Sequence, residues 1–315
     1  MQLRDLEYVV AIAQTGSFSK AASQMFVSQP ALSQAVARLE EEFGLQIFYR
    51  TRGVITPTEA GRVLLEDGLS ILQMSDRIHK RMSDVQNLRT GQVSIGISHL
   101  YGKYYFSRIM PIFRERFPGI IIHIVEDTSS QLEKKLEAGV VDIAFFSVAG
   151  ESEKLVFEFL FHEELLFGVP PGHPINSCYK HDGDTLPVVD LELFKNDDFL
   201  MIKRGQRLYT QGHMLCARAG FVPHVVFETG NSELANTFIA GGLGVGFLPI
   251  AVRCTCQPEH RAVYYLLSDP EAKREYVVAY NKHRFLSLAA RQFIEVAKEI
   301  SHQFGDITPN PKQLI

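Results

Sequence analysis

Residues 17–61 read S-F-S-K-A-A-S-Q-M-F-V-S-Q-P-A-L-S-Q-A-V-A-R-L-E-E-E-F-G-L-Q-I-F-Y-R-T-R-G-V-I-T-P-T-E-A-G. Ser17 is placed to cap a short helix from Phe18 to Met25, whose Ala21 and Ala22 permit close packing against a neighbour. A tight turn at Phe26-Val27 follows. Ser28 is a second N-cap, and Pro30 falls in the first turn of the next helix, where its missing N–H removes no hydrogen bond. Ala31, Leu32, Ala35, Val36 and Leu39 predict the buried stripe of that helix, with Gln29, Ser33, Gln34 and Arg38 on its other face and Gly44 as its end. Upstream, Leu3, Leu6, Val9, Val10 and Ile12 follow the i, i+3, i+4 spacing of an amphipathic helix, which Gly16 breaks. Two short helices at a tight turn, the second carrying hydrogen-bonding side chains near its start, predict a helix-turn-helix. Gln and Ser at that start can reach base edges in the major groove. Downstream, I-F-Y-R-T-R-G-V-I-T makes two short β-stretches around Gly53, a wing that places Arg50 and Arg52 against phosphate or the minor groove. On pattern alone, the alternative is a three-helix bundle whose polar face is simply solvated.

Charge qualifies this picture. The 315-residue chain carries a net charge of -4, so nucleic-acid binding must come from placed residues rather than bulk charge. Within residues 1–62, Arg4, Lys20, Arg38, Arg50, Arg52 and Arg62 balance Asp5, Glu7, Glu40, Glu41, Glu42 and Glu59. The acids Glu40 to Glu42 cluster at the far end of the third helix, and Arg50 and Arg52 at the wing. Apolar residues at 46% and charged residues at 22% are ordinary for globular protein, and the length suggests two or three domains. The opening M-Q-L-R-D-L-E is no signal peptide and no apolar run is long enough to span a membrane, so a cytoplasmic location is expected. Four cysteines are too few for a disulfide scaffold.

From Glu59 to about Arg89 there is no proline, and Thr56 or Thr58 is placed to cap a helix there. Leu64, Ile71, Ile78 and Val85 recur every seven residues, supported by Met74, Met82 and Leu88, although Asp67 and Gly68 weaken the early part. A sustained heptad predicts pairing with another helix; the alternative is a long helix packed on its own domain. Thr90-Gly91 closes it. Then V-S-I-G-I is an alternating strand, Phe106 to Phe113 a helix, I-I-I-H-I-V a buried strand, Ser130 to Ala138 a helix and V-V-D-I-A-F-F a strand, the order of a parallel α/β sheet. A second α/β segment runs from Leu165 to about Pro249, with L-L-F-G-V, F-L-M-I and V-V-F-E as strands. The chain returns with strands at Val263 to Leu267 and Val277 to Tyr280 and a helix from about Leu286 to Gln303. Two α/β lobes joined by crossing strands form a cleft.

The 45-residue stretch quoted above closely resembles the N-terminal domain of LysR-type transcriptional regulators. The later segments F-P-G-I, L-E-A-G-V-V-D-I-A, V-P-P-G-H-P and A-G-G-L-G-V-G-F-L-P resemble the effector domain of the same family, related in fold to periplasmic solute-binding proteins. The resemblance implies an α/β multidomain protein. A winged helix-turn-helix DNA-binding domain occupies residues 1–58, a linker and dimerisation helix 59–90, and a two-lobed effector domain 91–305, ahead of a tail at 306–315. Lobe I takes about 91–162 and 268–303, and lobe II about 163–267. It further implies a dimer that reads an inverted repeat in double-stranded DNA, assembled into a tetramer. Ser28, Gln29, Pro30, Ser33, Gln34, Arg38, Arg50 and Arg52 fall at the DNA.

Ligands of open α/β sheets bind beyond the carboxyl ends of strands, where helix N-termini supply N–H groups. Ser98 and His99 follow the first strand, Thr128, Ser129 and Ser130 the second, and Thr229 with Asn231 follows V-V-F-E. Phe146, Ser147, Met201 and Ile202 are expected to line the walls. For each hydroxyl the plain alternative is an ordinary helix cap. Together they suggest a small organic anion as effector. A peroxide-sensing branch of the family uses two cysteines in the second lobe. Here Arg207 stands where the reactive cysteine belongs and only Cys216 is present, so that disulfide cannot form; Arg207 instead offers an anion contact. Cys254, Cys256 and His260, or Cys178 with His173 and His181, fall short of a zinc site. G-G-L-G-V-G is followed by strand and proline, not a helix, and is no dinucleotide loop, so no cofactor or metal is expected. No nucleophile has a placed base, which leaves an enzyme without chemistry. The alternative function is a cytoplasmic solute-binding protein without DNA binding.

Overall fold

Serine caps and glycine stops set the first helices. The computed structural model describes residues 1–51, 54–85, 90–148, 150–179, 186–257 and 260–304. Contacts divide the chain into two units, Met1–Met82 and Ser83–Ile315. The first begins with α1 (Leu3–Thr15), α2 (Phe18–Gln24) and α3 (Gln29–Phe43). Ser17 Oγ accepts the Lys20 N–H at 3.4 Å and Ser28 Oγ the Ala31 N–H at 3.3 Å. α1 and α3 stop at Gly16 and Gly44, both left-handed with φ of +63° and +67°. Val9, Ile12, Ala21, Ala22, Leu32, Val36 and Leu39 share one core. Leu3 and Ala31, expected on the buried stripes, are exposed instead, because each sits in the first turn of its helix beyond the packed region.

The wing is β1 (Phe48–Thr51) antiparallel to β2 (Val54–Pro57), with Phe48 opposite Pro57 and Thr51 opposite Val54. Phe48 closes the core edge-on to Phe18 at 6.2 Å. α4 (Glu59–Val85) follows. Thr58 rather than Thr56 caps it, its hydroxyl accepting the Gly61 N–H at 3.0 Å. Gly61 is required by proximity: a Cβ there would lie 2.1 Å from the Ile47 carbonyl oxygen. Gly68, the weak point of the heptad, is where Leu6 of α1 lies against α4. Leu64 packs on the helix-turn-helix core, whereas Ile71, Met74, Ile78 and Met82 form an exposed apolar stripe. Leu88 and the side chain of Val85 lie outside the described residues.

In the second unit β3 (Gly91–Ile97) is followed by a short α5 (His99–Tyr101), a π-helical turn Gly102–Phe106 and α6 (Ser107–Arg116). Then come β4 (Ile120–Glu126), α7 (Ser129–Ala138), β5 (Ile143–Ser147) and the 15-residue β6 (Leu155–Val169). Beyond it lie β7 (Val188–Val189), β8 (Asp198–Ile202), α8 (Arg207–Arg218), β9 (His224–Thr229), α9 (Ser232–Ala240), β10 (Gly246–Pro249) and α10 (Ala251–Thr255). β11 (Val263–Leu267), β12 (Lys273–Asn281) and α11 (Leu288–Phe304) complete the unit. The main sheet runs β4-β3-β5-β12-β6-β11-β7, with β10 also paired to β6. β8 and β9 pair in parallel and join this array where Phe199 bridges Val245.

Two readings of the sequence need correction. The run 157–163 belongs to β6, which begins ten residues before L-L-F-G-V and exchanges partners as it goes. Up to Glu164 it pairs with β12; from Leu165 it pairs with β10 and β11. And β4 is not buried: it is the sheet's edge, with Ile121 58% and Ile124 45% exposed. A continuous apolar run suggests burial on both faces, but among the described residues nothing covers the outer one. Tyr105, Phe106, Phe113, Phe145, Phe161 and Phe293 pack ring against ring in the core of this unit.

Candidate nucleic-acid interface and ligand cleft

The polar face of α3 is free for contact. Ser28, Gln29, Pro30, Gln34 and Arg38 are exposed and Ser33 is half-buried. The Ser28 hydroxyl is engaged as the cap. Arg38 meets Asp5 at 3.4 Å while its side chain stays 70% exposed. Arg52 and the side chain of Arg50 lie outside the described residues. Several acids that balance the domain's charge have structural work: Glu40 accepts the Ile47 N–H at 2.9 Å, Glu42 pairs with the N-terminal ammonium at 2.9 Å and Glu59 with Arg62 at 2.7 Å. The turn expected at Phe26-Val27 carries Phe26 96% exposed and left-handed, with φ of +54°, between α2 and α3; a bulky residue in that conformation is rare.

In the second unit a cleft of about 360 Å³ opens where β3, β4, β5, α8 and α9 begin or end. Of the residues expected there, Ser98, Thr128, Ser129, Ser147, Arg207 and Asn231 line it. Thr128 precedes α7 without making a side-chain cap bond, and its hydroxyl lies 3.4 Å from that of Ser130. Ser130 turns to the Gly205 carbonyl, also 3.4 Å away. Asn231 is a true cap, its Oδ1 accepting the Glu233 and Leu234 N–H groups at 2.9 and 3.1 Å. Thr229 is buried, its hydroxyl accepting the Asn231 N–H at 3.2 Å. The side chain of His99 lies outside the described residues.

Phe146, Met201 and Ile202 do not line the cleft; all three are buried in cores. Side chains alternate along a strand, so Ser147 at the end of β5 reaches the cleft while Phe146 packs with Leu132, Leu136 and Phe157. Met201 and Ile202 belong to the core of the β8 layer. Sequence reasoning missed Tyr101, Glu126, Asp127, Leu208, Glu233, Pro249 and Arg274 among the lining residues. Tyr101 had a signal in the helix opening after β3; Arg274 had none, since it is brought in by β12 from a distant part of the chain.

Arg207 begins α8 and reaches across. Its guanidinium donates to the Ser147 carbonyl and to the Glu133 carboxylate, above the Phe146 ring. Lys103 and Glu233 make a second bridge at 2.7 Å. At the floor, Glu163 of β6 and Arg274 of β12 are register partners and form a buried ion pair. Burial pushes the Glu163 carboxyl upward, opposed by Arg274 and by the Ile250 N–H. Cys216 is buried and its thiol is pushed up to about 12 by desolvation, so it holds no reactive thiolate. Burial also raises Cys254 and Cys256. His173 accepts the Ile175 N–H at 3.2 Å and meets Asp197 at 3.0 Å, which makes it part of a turn; His181 lies outside the described residues. Among the described residues no cluster of His, Cys, Asp and Glu is placed to hold a metal ion, and no helix is long and apolar enough to cross a membrane.

A winged helix-turn-helix coupled to a two-lobed α/β unit with a ligand-sized cleft defines a class: regulators that combine DNA binding with effector binding. Residues 3–62 match the bacterial regulatory helix-turn-helix protein, lysR family, and residues 86–301 match the LysR substrate binding domain. The chain belongs to the LysR family of DNA-binding transcriptional regulators, whose members carry an effector-binding domain, form oligomers and are regulators rather than enzymes. It is 31% identical to the uncharacterized HTH-type transcriptional regulator YcgK of Bacillus subtilis strain 168, over 97% of each chain. It is 28% identical to the DNA-binding transcriptional dual regulator OxyR of Escherichia coli K12, over 89% of each. The crystal structure of full-length CbnR complexed with its target DNA shares the fold, with a TM-score of 0.66 at 20% identity, over 95% of this chain and 99% of that one.

Proposed function

We propose that this regulator binds an inverted-repeat site as a dimer joined through α4, assembles further into a tetramer, acts in the cytoplasm, and is controlled by a small organic anion held between its lobes. The observation that carries the effector reading is the cleft itself: Ser98, Thr128, Ser129 and two arginines converge on about 360 Å³, within the size range of small-molecule sites. The exposed stripe Ile71, Met74, Ile78 and Met82 supports pairing through α4. Gln29, Ser33 and Gln34 supply base contacts, Ser28, Pro30 and Arg38 fit the same face of α3, and Arg50 and Arg52 supply phosphate or minor-groove contacts.

Control works by population shift. The effector favours one arrangement of the lobes, this changes how effector domains pack between subunits, and the angle between paired DNA-binding domains changes with it. The effector must therefore bind one arrangement better than the other. Thermal-shift titration with small acids, followed by gel shift on a bound promoter fragment, tests this. Stabilisation by acids with altered DNA mobility is expected; stabilisation only by cations or neutral apolar compounds rejects the anionic effector. Specific DNA binding is itself the observation that disfavours a solute-binding protein without DNA function.

A further inference from the structure

The junction between the lobes holds polar atoms that the fold leaves without partners. Glu163 is fully buried and the Arg274 side chain nearly so, and the two bond to each other. Yet Arg274 Nε is unpartnered, as is the phenol oxygen of Tyr101, which is itself buried. Tyr101 stacks on Tyr276 at 4.1 Å, two residues along β12 from Arg274. Both Tyr101 and Arg274 line the cleft. Buried donors without acceptors are rare in folded proteins and call for an explanation at each site. Here a buried guanidinium N–H and a buried phenol both belong to residues that line the cleft.

Arg207 is differently placed. Its two terminal nitrogens are engaged by Ser147 and Glu133, so it ties α8 to β5 and α7. We propose that Arg274, not Arg207, seats the carboxylate of the effector, with Tyr101 as a second hydrogen-bond donor and Glu163 as the positioning residue that fixes the guanidinium. This rests on the anionic reading of the cleft. It also narrows the ligand. Glu126, Asp127 and Glu233 outnumber the two arginines on the lining, which disfavours phosphates and dicarboxylates. Leu100, Leu208 and Pro249 offer apolar wall. The ligand class is a monocarboxylate with a small apolar body.

Replacing Arg274 alone strands a buried carboxylate and endangers the fold, whereas an apolar pair of similar volume is commonly tolerated. The test protein is therefore the double variant Glu163→Leu/Arg274→Met, the folding of its effector unit verified by native-like circular dichroism and a cooperative melt. A second variant, Ser129→Trp, obstructs the cleft. The probes are the straight-chain acids from acetate to octanoate, and benzoate, each beside its primary amide, ranked by thermal shift. Acids are expected to stabilise the wild type, and their apparent affinity to fall roughly tenfold or more in the double variant, the loss of a charge-assisted hydrogen bond. Amides should be unaffected by that change. Acid binding that survives the double change but fails in Ser129→Trp overturns the Arg274 seat while leaving the cleft as effector site. Acids that stabilise no variant, the wild type included, overturn the anionic reading and the seat with it.

Discussion

Gln29 and Gln34 stand on the exposed face of α3, outside the hydrogen bonds that hold the helix. Gln29→Ala or Gln34→Ala should therefore leave the fold intact and weaken specific DNA binding by about 1–3 kcal/mol. Arg52→Ala should weaken binding to all sequences more evenly and flatten the salt dependence. Titration of specific and scrambled duplexes at two salt concentrations separates these; unchanged specificity in both Gln variants removes the base-contact assignment. This surface was readable from sequence because capping and helical period declare themselves within a few residues. The cleft was less readable. Ser98, Thr128 and Ser129 follow strands, a local signal, whereas Arg274 enters from β12, more than a hundred residues later, by strand pairing that no local pattern announces. Phe146, Met201 and Ile202 were misassigned because a sheet covered on both sides hides the alternation that would have told inward from cleft-facing residues.

At the scale of elements, α4 has a packed stretch and an exposed one. Its first turns are fixed to the helix-turn-helix core by Leu64 and by the close approach at Gly61. Gly61→Ala puts a methyl against the Ile47 carbonyl and should cost about 1–3 kcal/mol of stability in the DNA-binding unit, the usual penalty of overpacking, measured by chemical denaturation. Farther along, Ile71→Glu with Ile78→Glu should convert the proposed α4-paired dimer to monomer in sedimentation velocity. Each exposed side chain there contributes roughly 1.5–3 kcal/mol once buried by a partner. A dimer that persists at micromolar concentration in the double variant places the subunit contact elsewhere. The heptad was visible in the sequence; its interruption at Gly68 made sense only when Leu6 was found against it. β4 shows the reverse failure: an apolar run reports only that some surface avoids water, not whether this chain supplies the cover.

For the molecule as a whole, most of the shifted carboxylates of the effector unit are lowered and weaken the fold in acid, while buried Glu163 is raised and acts the other way. Burial pushes Glu158 upward, but the hydrogen bonds from Lys298 and Tyr280 outweigh it and leave its pKa lowered. Asp269 is lowered mainly by its hydrogen bond to Arg218. A group whose folded pKa is depressed adds stability above its unfolded pKa, near 4, and loses it as pH falls through the folded value. The melting temperature should thus be flat from neutral pH to about 5 and fall below about 4, and Glu158→Gln should blunt that fall. A Glu158→Gln variant whose melting temperature falls below about pH 4 as steeply as the wild type's contradicts the Glu158 assignment. The two-lobed plan and its joining by crossing strands were legible from the order of strands and helices, but not that a single 15-residue strand makes the crossing. β6 carries one unbroken backbone from lobe to lobe, paired on each side of the point where its neighbours change. Lobes connected in this way do not swing as on a loose pin; they twist against an elastic ribbon, as on a torsion bar. Twisting then strains the strand itself, and the amide hydrogens of β6 around Glu164 should be among the slowest of the unit to exchange with solvent.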